Sequence, residues 1–171
     1  PVAVCLHALK QIDLSPTNKI LVMGGGPIGA LLFAILSLLG FYNVSVAEQS
    51  EYRRNVLSKL RSNRVLQKVD DEYDVVFETT GCGHVLSEIV TDHWLKKGRI
   101  VIIGIYREPV RLNFTDLVEK EWQITGSSVF SSELEEAVTL LEKNWKSFEW
   151  IITHNLPLNQ FEKAFDLVLR P

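Results

Sequence analysis

The sequence predicts an α/β protein with a doubly wound parallel sheet of about six strands and helices on both faces. Short apolar runs alternate with longer runs of helical periodicity, which is typical of βαβ units. Residues 74–78 form a run with an apolar centre, as in strands that are covered on both faces. A glycine-rich segment, residues 24–29, lies between the first short run and the helical run after it.

In the first half of the chain, a helix is expected up to about residue 11, because apolar side chains recur there at helical spacing. Pro27 suits the first turn of a second helix and Gly40 suits the position just after its end. The predicted elements are helix 2–11, strand 19–23, helix 27–39, strand 43–47, helix 51–60 and a weak strand 65–66.

In the second half, Ser132 and Glu135 have the spacing of a capping box at a helix start. A short run from Val110 to Leu112 is expected to form an edge strand. The predicted elements are strand 74–78, helix 84–95, strand 99–104, edge strand 110–112, strand 122–125, a helix from the capping box to residue 142, strand 150–153 and helix 158–169.

Charge and hydropathy argue against several classes of partner. The net charge of −3 shows no electrostatic footprint for nucleic acid. The most apolar run, residues 28–39, is shorter than the roughly 20 residues that a membrane-spanning helix needs. The chain has 2 cysteines, which is no disulfide framework. We therefore expect a cytoplasmic protein that binds neither nucleic acid nor membrane.

The glycine-rich segment carries the main functional motif. Gly24, Gly26 and Gly29 match G-x-G-x-x-G, between a predicted strand and a predicted helix. The first glycine allows a tight turn, the second lets the backbone approach a pyrophosphate, and the third lets the helix pack close to the sheet. The helix N-terminus then offers free N–H groups and a positive dipole end to the phosphates. This pattern predicts a Rossmann dinucleotide site.

Glu48 ends the second predicted strand, close to the position about 20 residues beyond the turn where an acid binds the adenosine ribose. A carboxylate there accepts hydrogen bonds from the ribose hydroxyls and repels a 2′-phosphate, so NAD(H) is favoured. Arg53 and Arg54 follow at a position from which they could approach a 2′-phosphate, which leaves NADP(H) open. Either arginine could equally belong to the solvated face of its helix.

No residues in the chain predict a catalytic or metal site. A catalytic zinc needs three convergent protein ligands. Cys5 and His7 are two apart on a helix, and Cys82 and His84 would be only two ligands. The other candidates, His93 and His154, are more typical of surface or boundary histidines. No nucleophile elbow and no Walker lysine is present, so we expect the catalytic chemistry to come from a bound cofactor.

Several segments, taken together, resemble the medium-chain zinc-type alcohol dehydrogenases, most of all the branch of sorbitol and threonine dehydrogenases. The turn Gly24-Gly25-Gly26-Pro27-Ile28-Gly29 is the most specific of them. The others, in the family's order and spacing, are residues 1–8, 74–81, 97–104, 124–127, 156–158 and 164–165. Residues 61–73 depart from the family because the stretch is short, so the crossover there should be reduced.

The resemblance implies cofactor contacts from the whole turn, including Gly25, Pro27 and Ile28. It also implies that Glu48 holds the ribose, Arg53 lies on its phosphate side, and Thr80 flanks the adenine. Gly104 and Ile105 would present their backbone to the nicotinamide ring, and the loop after Gly126 would approach it. A homodimer through an edge strand near Val110 and Leu112 is a further implication. A solvated edge, protected by Arg107, Glu108 and Arg111, is the equal alternative.

By this resemblance, the chain is the cofactor-binding domain, residues 1–171, of an NAD(H)-dependent dehydrogenase acting on a secondary alcohol or polyol and the matching ketone. The catalytic domain, with its zinc, would precede residue 1, so the chain alone would turn over nothing. Two alternatives stay open: a nucleotide-binding sensor without chemistry, and a methyltransferase that uses S-adenosylmethionine.

Overall fold

The computed structural model describes residues 1–91 and 94–169. The α-helices are α1 (Val2–Lys10), α2 (Pro27–Leu38), α3 (Glu51–Arg61), α4 (Gly83–Thr91), α5 (Phe114–Glu119), α6 (Leu134–Asn144) and α7 (Phe161–Leu169). The strands are β1 (Ile20–Met23), β2 (Val44–Ala47), β3 (Val65–Leu66), β4 (Tyr73–Glu78), β5 (Leu95–Ile102) and β6 (Gln123–Gly126). Short 3-10 turns cover Ser62–Arg64, Trp145–Ser147, Glu149–Ile151 and Leu158–Gln160.

The six strands form one parallel sheet in the order β3-β2-β1-β4-β5-β6. The chain starts in the middle of the sheet, runs outward to β3, and then returns to build the other half from β4. The predicted fold class is thus confirmed. Met23 at the end of β1 lies opposite Glu78 at the end of β4. The loops after these two strands therefore meet at the switch point where ligands of such sheets bind.

The core lies on both faces of the sheet, because successive side chains of β1 point in opposite directions. Ile20 and Val22 join one buried cluster, with residues of α1 and α2 such as Phe33. Leu21 and Met23 join the other cluster, with α4 residues that include Leu86, Ile89 and Val90. All four β1 side chains are buried. Burial on both faces is the physical reason for the continuous apolar run.

The crossover between β3 and β4 is short, as predicted from residues 61–73. A 3-10 turn precedes β3, and the loop 67–72 leads directly to β4 with no helix. Val69 of this loop and Trp94 pack partly against the second cluster. A loop and a tryptophan therefore cover this flank of the sheet, next to the end of β2.

The predicted helix 84–95 is wrong at its C-terminal end, and the predicted strand 99–104 begins too late. Leu95 is the first residue of β5, where it pairs with Tyr73, and the Tyr73 N–H donates to the Trp94 carbonyl at 2.8 Å. Gly98 is a strand residue that lies under an aromatic ring: an added Cβ would stand 1.3 Å from Trp122 Cδ1. Local periodicity could not reveal this pairing, because its partners are distant in sequence.

The predicted edge strand at Val110 to Leu112 is absent. Both side chains pack inward, partly buried against the second cluster, and their backbone joins no ladder. The short helix α5, which was not predicted, follows after Asn113, whose side-chain oxygen accepts from the Thr115 N–H at 3.0 Å. An asparagine at this position is a typical helix cap and was the available signal. The sheet therefore ends at β6 on this side.

Two further expectations near the C-terminus are wrong. The capping box at Ser132 does not form, because α6 starts at Leu134 with Glu133 as its N-cap and no side-chain cap bond. The predicted strand 150–153 is a 3-10 turn over Glu149–Ile151, in which Trp150 Nε1 donates to the Ser147 carbonyl at 2.8 Å. The last predicted helix is present as a 3-10 turn followed by α7. No helix among the described residues is long and apolar enough to cross a membrane.

Candidate functional site

The glycine turn connects β1 to α2, and its glycines face different surroundings. Gly24 has φ +98°, a left-handed conformation that favours glycine. At Gly25, an added Cβ would stand 2.5 Å from Leu57 Cδ1. At Gly29, an added Cβ would stand 1.9 Å from the Gly24 carbonyl oxygen. Gly26 differs, because an added Cβ there would meet nothing within 4 Å. Gly24 and Gly29 are required by backbone conformation and backbone contact, Gly25 faces side chains, and Gly26 leaves open space in front of the helix.

The N-terminus of α2 opens on this space. Gly26 is the N-cap and Pro27 occupies the first turn. The first intrahelical bond runs from the Ala30 N–H to the Gly26 carbonyl at 2.8 Å. The N–H groups of Ile28 and Gly29 therefore have no acceptor within the helix. Free N–H groups and the positive end of the helix dipole together form a site for an anion such as a phosphate.

Glu48, directly after β2, lies against the glycine turn. Its Oε2 accepts from the Gly25 N–H at 2.7 Å, and its Oε1 accepts from the Ser50 N–H at 2.8 Å. The residue is only 8% exposed, so these two bonds hold the carboxylate in one orientation. Each carboxylate oxygen accepts a further hydrogen bond. Glu48 can thus bind a pair of neighbouring hydroxyls while it stays anchored to the turn.

The two arginines of α3 have different environments. Arg54 Nη1 donates to the backbone carbonyls of Glu48 and Gln49, at 3.0 and 2.5 Å, and so supports the end of β2. The guanidinium of Arg53 is more exposed and lies 3.7 Å from Glu48 Oε2, on the border of the cavity described next. Arg53 is therefore the arginine that is free to meet a ligand.

A cavity of about 570 Å³ lies at the carboxyl ends of β1, β2 and β4. It brings together Gly24, Gly26, Glu48, Arg53 and Thr80 from the set predicted by the sequence. The other residues of that set do not line it: Gly25, Pro27, Ile28, Gly29, Gly104 and Ile105. Ile105 is 90% exposed, and Gly104 packs so closely on the preceding turn that an added Cβ would stand 2.2 Å from Gly81 N. The cavity thus collects the residues expected around an adenosine and its phosphates.

Glu78, which the sequence placed only at the end of a strand, organises the neighbouring turn. Its side chain is fully buried. It accepts from the Thr80 N–H at 2.7 Å, from the Thr80 hydroxyl, from the Gly81 N–H at 3.2 Å, and from the Tyr106 hydroxyl at 2.5 Å. Burial and the bond to Glu78 raise the pKa of Tyr106, which stays a neutral donor. Glu78 therefore positions Thr80 at the cavity, and an acid directly after an apolar strand run was the signal in the sequence.

The loop after β6 is anchored at its far end by Glu133. This buried carboxylate accepts from the Ser131 N–H at 2.8 Å and lies 3.2 Å from His7 Nδ1 and 3.5 Å from Lys10 Nζ of α1. The Ser131 bond, together with His7, lowers the pKa of Glu133 to about 2. Val129 within the loop has φ +52°, an unusual backbone conformation for a β-branched residue.

The candidate metal ligands that lie in the described part of the chain do not converge. Burial raises the pKa of the Cys5 thiol to about 12, and its Sγ donates to the Ile28 carbonyl at 3.6 Å, so this cysteine is a core residue. Cys82 Sγ lies 3.3 Å from His84 Nδ1, as a pair. Within residues 1–91 and 94–169, no group of three or more His, Cys, Asp or Glu residues could hold a metal ion. His93 lies outside the described residues.

Comparison with known proteins indicates the family to which the chain belongs. The family model described as zinc-binding dehydrogenase matches residues 27–143. An L-threonine 3-dehydrogenase of Deinococcus deserti is 25% identical over 99% of this chain and 53% of its own length. A sorbitol dehydrogenase of Bombyx mori is 23% identical over 98% of this chain and 52% of its own length. The chain thus spans about half the length of these relatives.

Solved structures share the fold. An alcohol dehydrogenase from E. coli CFT073, complexed with the cofactor NADH, superposes with a TM-score of 0.88. Its sequence is 20% identical, and the match covers 100% of this chain and 54% of that one. Because the family model spans well over half of the sequence, and includes the second half of the glycine turn and Glu48, the chain belongs to the zinc-binding dehydrogenase family.

Proposed function

We propose that this chain binds NAD(H) and acts as the cofactor-binding domain of a zinc-type alcohol or polyol dehydrogenase. The observation that carries the proposal is the contact between the Gly25 N–H and Glu48 Oε2, at 2.7 Å. It joins the phosphate-binding turn to a ribose-binding acid within one cavity. Membership of the dehydrogenase family argues against the methyltransferase alternative.

The residues fit the cofactor in a definite order. Gly26 leaves room for the pyrophosphate, and the N–H groups of Ile28 and Gly29 would donate to it. Glu48 would accept from both ribose hydroxyls, and Arg53 lies where it can approach the phosphate side. Gly104 and Ile105 would offer their backbone to the nicotinamide half, which lies beyond the cavity. When bound, the nicotinamide supplies the hydride chemistry for a secondary alcohol or ketone.

Zinc does not fit the described residues, which supply no set of three ligands. We propose that a catalytic domain outside these residues holds it, in line with the longer relatives. Part of the surface fits such a partner domain: α7 has no buried residue, and Phe165, Val168 and Leu169 are exposed. We also propose a cytoplasmic location, because Cys5 and Cys82 are both free thiols.

The proposal predicts saturable NADH binding and a preference against NADPH. Glu48 should repel a 2′-phosphate, so NADPH should bind at least about tenfold more weakly, or about 1.4 kcal/mol. Glu48→Ala should weaken NADH binding. It should also reduce the ratio of the NADPH and NADH dissociation constants to below about threefold. The measurement is the fluorescence of NADH and NADPH during titration with the protein.

The matched control is Glu51→Ala, which removes the same charge from the exposed first turn of α3 and should leave both affinities unchanged. Absence of saturable NADH binding at millimolar cofactor would exclude the proposed function. Equal affinities of the unaltered chain for the two cofactors would exclude the role of Glu48 in cofactor choice.

We further propose a homodimer through the free edge of β6, which replaces the predicted edge strand near Val110 and Leu112. The Ser127 N–H bonds inward to Ile102, so by alternation the Gly126 N–H points to the open edge. An unpaired edge invites pairing with a second copy. Sedimentation velocity should show a dimer that Gly126→Pro dissociates and Gly126→Ala, the control, preserves. A monomer in the unaltered chain would exclude this edge contact.

A further inference from the structure

The cavity extends beyond Glu48, on the side away from the phosphate-binding turn. One wall is formed by Gln67, Lys68 and Val69, which follow β3. The opposite wall is formed by His84, Val85 and Glu88 of α4. If Gly26 faces the pyrophosphate and Glu48 holds the ribose, the base has to enter the slot between these walls. This inference therefore rests on the proposed function and concerns the base alone.

The two walls suit a flat aromatic base. They present apolar surfaces to its two faces and polar groups to its edge. Val69 and Val85 are partly buried against the second core cluster, so each presents a fixed apolar surface to the slot. Residues 84 and 88 are one helical turn apart and border the same space. The short loop 67–72 brings the first wall close, because no helix separates β3 from β4.

The polar groups at the slot differ in their existing partners. His84 Nδ1 lies 3.3 Å from Cys82 Sγ, so one of its ring nitrogens is engaged. Glu88 is exposed, and within the part of the chain that the structure describes its carboxylate takes part in no hydrogen bond or ion pair. Lys68 is a donor on the opposite wall. Glu88 is thus the carboxylate of this slot whose oxygens are free.

We propose that Glu88 accepts a hydrogen bond from the exocyclic amino group of adenine, so that the site selects 6-aminopurine over 6-oxopurine dinucleotides. A 6-oxo group would place an acceptor oxygen against the carboxylate, where no proton lies between them. Lys68, across the slot, is suited to the ring nitrogens, which are acceptors in adenine. A site with a dedicated hydrogen-bond partner rejects an analogue that lacks the matching group.

The test compares NADH with reduced nicotinamide hypoxanthine dinucleotide, which has a 6-oxo group in place of the 6-amino group and a hydrogen on N1. We expect the hypoxanthine analogue to bind about tenfold more weakly or worse. ADP-ribose should compete with NADH, since the discriminating contact lies in the adenosine half. Equal affinity for the two dinucleotides would overturn the inference while NADH binding still supported the proposed function. Loss of both would overturn the proposed function itself.

Variants separate the contact from a general charge effect. Glu88→Gln retains the size of the side chain and adds a donor, so the amide can face either base, and discrimination should fall below about threefold. Glu142→Gln on α6 makes the same change at an exposed site that does not line the cavity, and should retain full discrimination. Unchanged discrimination in Glu88→Gln would overturn the role of Glu88, whatever the affinity for NADH.

Discussion

Replacing Gly29 with alanine is expected to destabilise the chain by about 3 kcal/mol and to lower its melting temperature by about 10 °C. The added Cβ would stand 1.9 Å from the Gly24 carbonyl oxygen, a backbone atom that moves only if the turn and α2 separate. Such a movement would also break the alignment of the helix N-terminus with the cavity. Urea denaturation followed by circular dichroism measures the loss, and NADH titration measures the binding.

Gly26→Ala is the matched control for this prediction. The same methyl group in the same turn would meet nothing within 4 Å, so stability should change by less than about 0.5 kcal/mol. NADH binding should nevertheless weaken at least about tenfold, because the methyl group enters the space left for the pyrophosphate. If Gly26→Ala bound NADH normally, the phosphates would not lie against this glycine. If Gly29→Ala were as stable as the unaltered chain, close packing would not explain this glycine.

Replacing Glu78 with alanine should cost about 3 kcal/mol or more, the second large effect that the structure predicts. The fully buried carboxylate accepts from two backbone N–H groups and two hydroxyls, of Thr80, Gly81 and Tyr106. Removing it leaves these donors without their acceptor at a partly buried turn. Thr80 should then lose its place at the cavity, so NADH binding should also weaken.

Tyr106→Phe provides the comparison, because it removes one donor from Glu78 and leaves the other bonds in place. We expect a loss of about 1 kcal/mol, which is the net contribution of a single hydrogen bond. Urea midpoints of the two variants measure the difference. If Glu78→Ala cost no more than Tyr106→Phe, the turn would be held by packing and not by the carboxylate.

Much of the fold was predictable because the signals are local. Alternation of short and long apolar runs reports which segments are strands between two layers and which are helices. The glycine pattern indicates positions where the backbone requires glycine. Examples are φ +98° at Gly24 and the close approach of the Gly24 carbonyl to Gly29. Pro27 reports the helix start. These features depend on residues a few positions apart, and the structure has them where the sequence predicts them.

The errors lie where segments distant in sequence decide the outcome. Val110 and Leu112 have the apolar spacing of a strand, but their side chains are partly buried against the second core cluster and their backbone joins no strand ladder. Leu95 suits a helix or a strand, and its pairing with Tyr73 selects the strand. Ser132 and Glu135 have the spacing of a capping box, yet the N-cap is Glu133, whose carboxylate lies 3.2 Å from His7 Nδ1 of α1. Apolar periodicity carries no information about such partners.

The candidate site, like the fold, was partly predictable from local sequence and partly decided by contacts between distant segments. The sequence by itself determined the turn, the acid that follows it, and the family that both indicate, because each has a local spacing with a physical requirement. Only the tertiary structure decided that Arg54 donates to two backbone carbonyls just after β2 while Arg53 faces the cavity. It also decided that Glu78 and Tyr106 meet beneath Thr80. These are contacts between chain segments brought together by the sheet, and strand order is set by packing of the whole core.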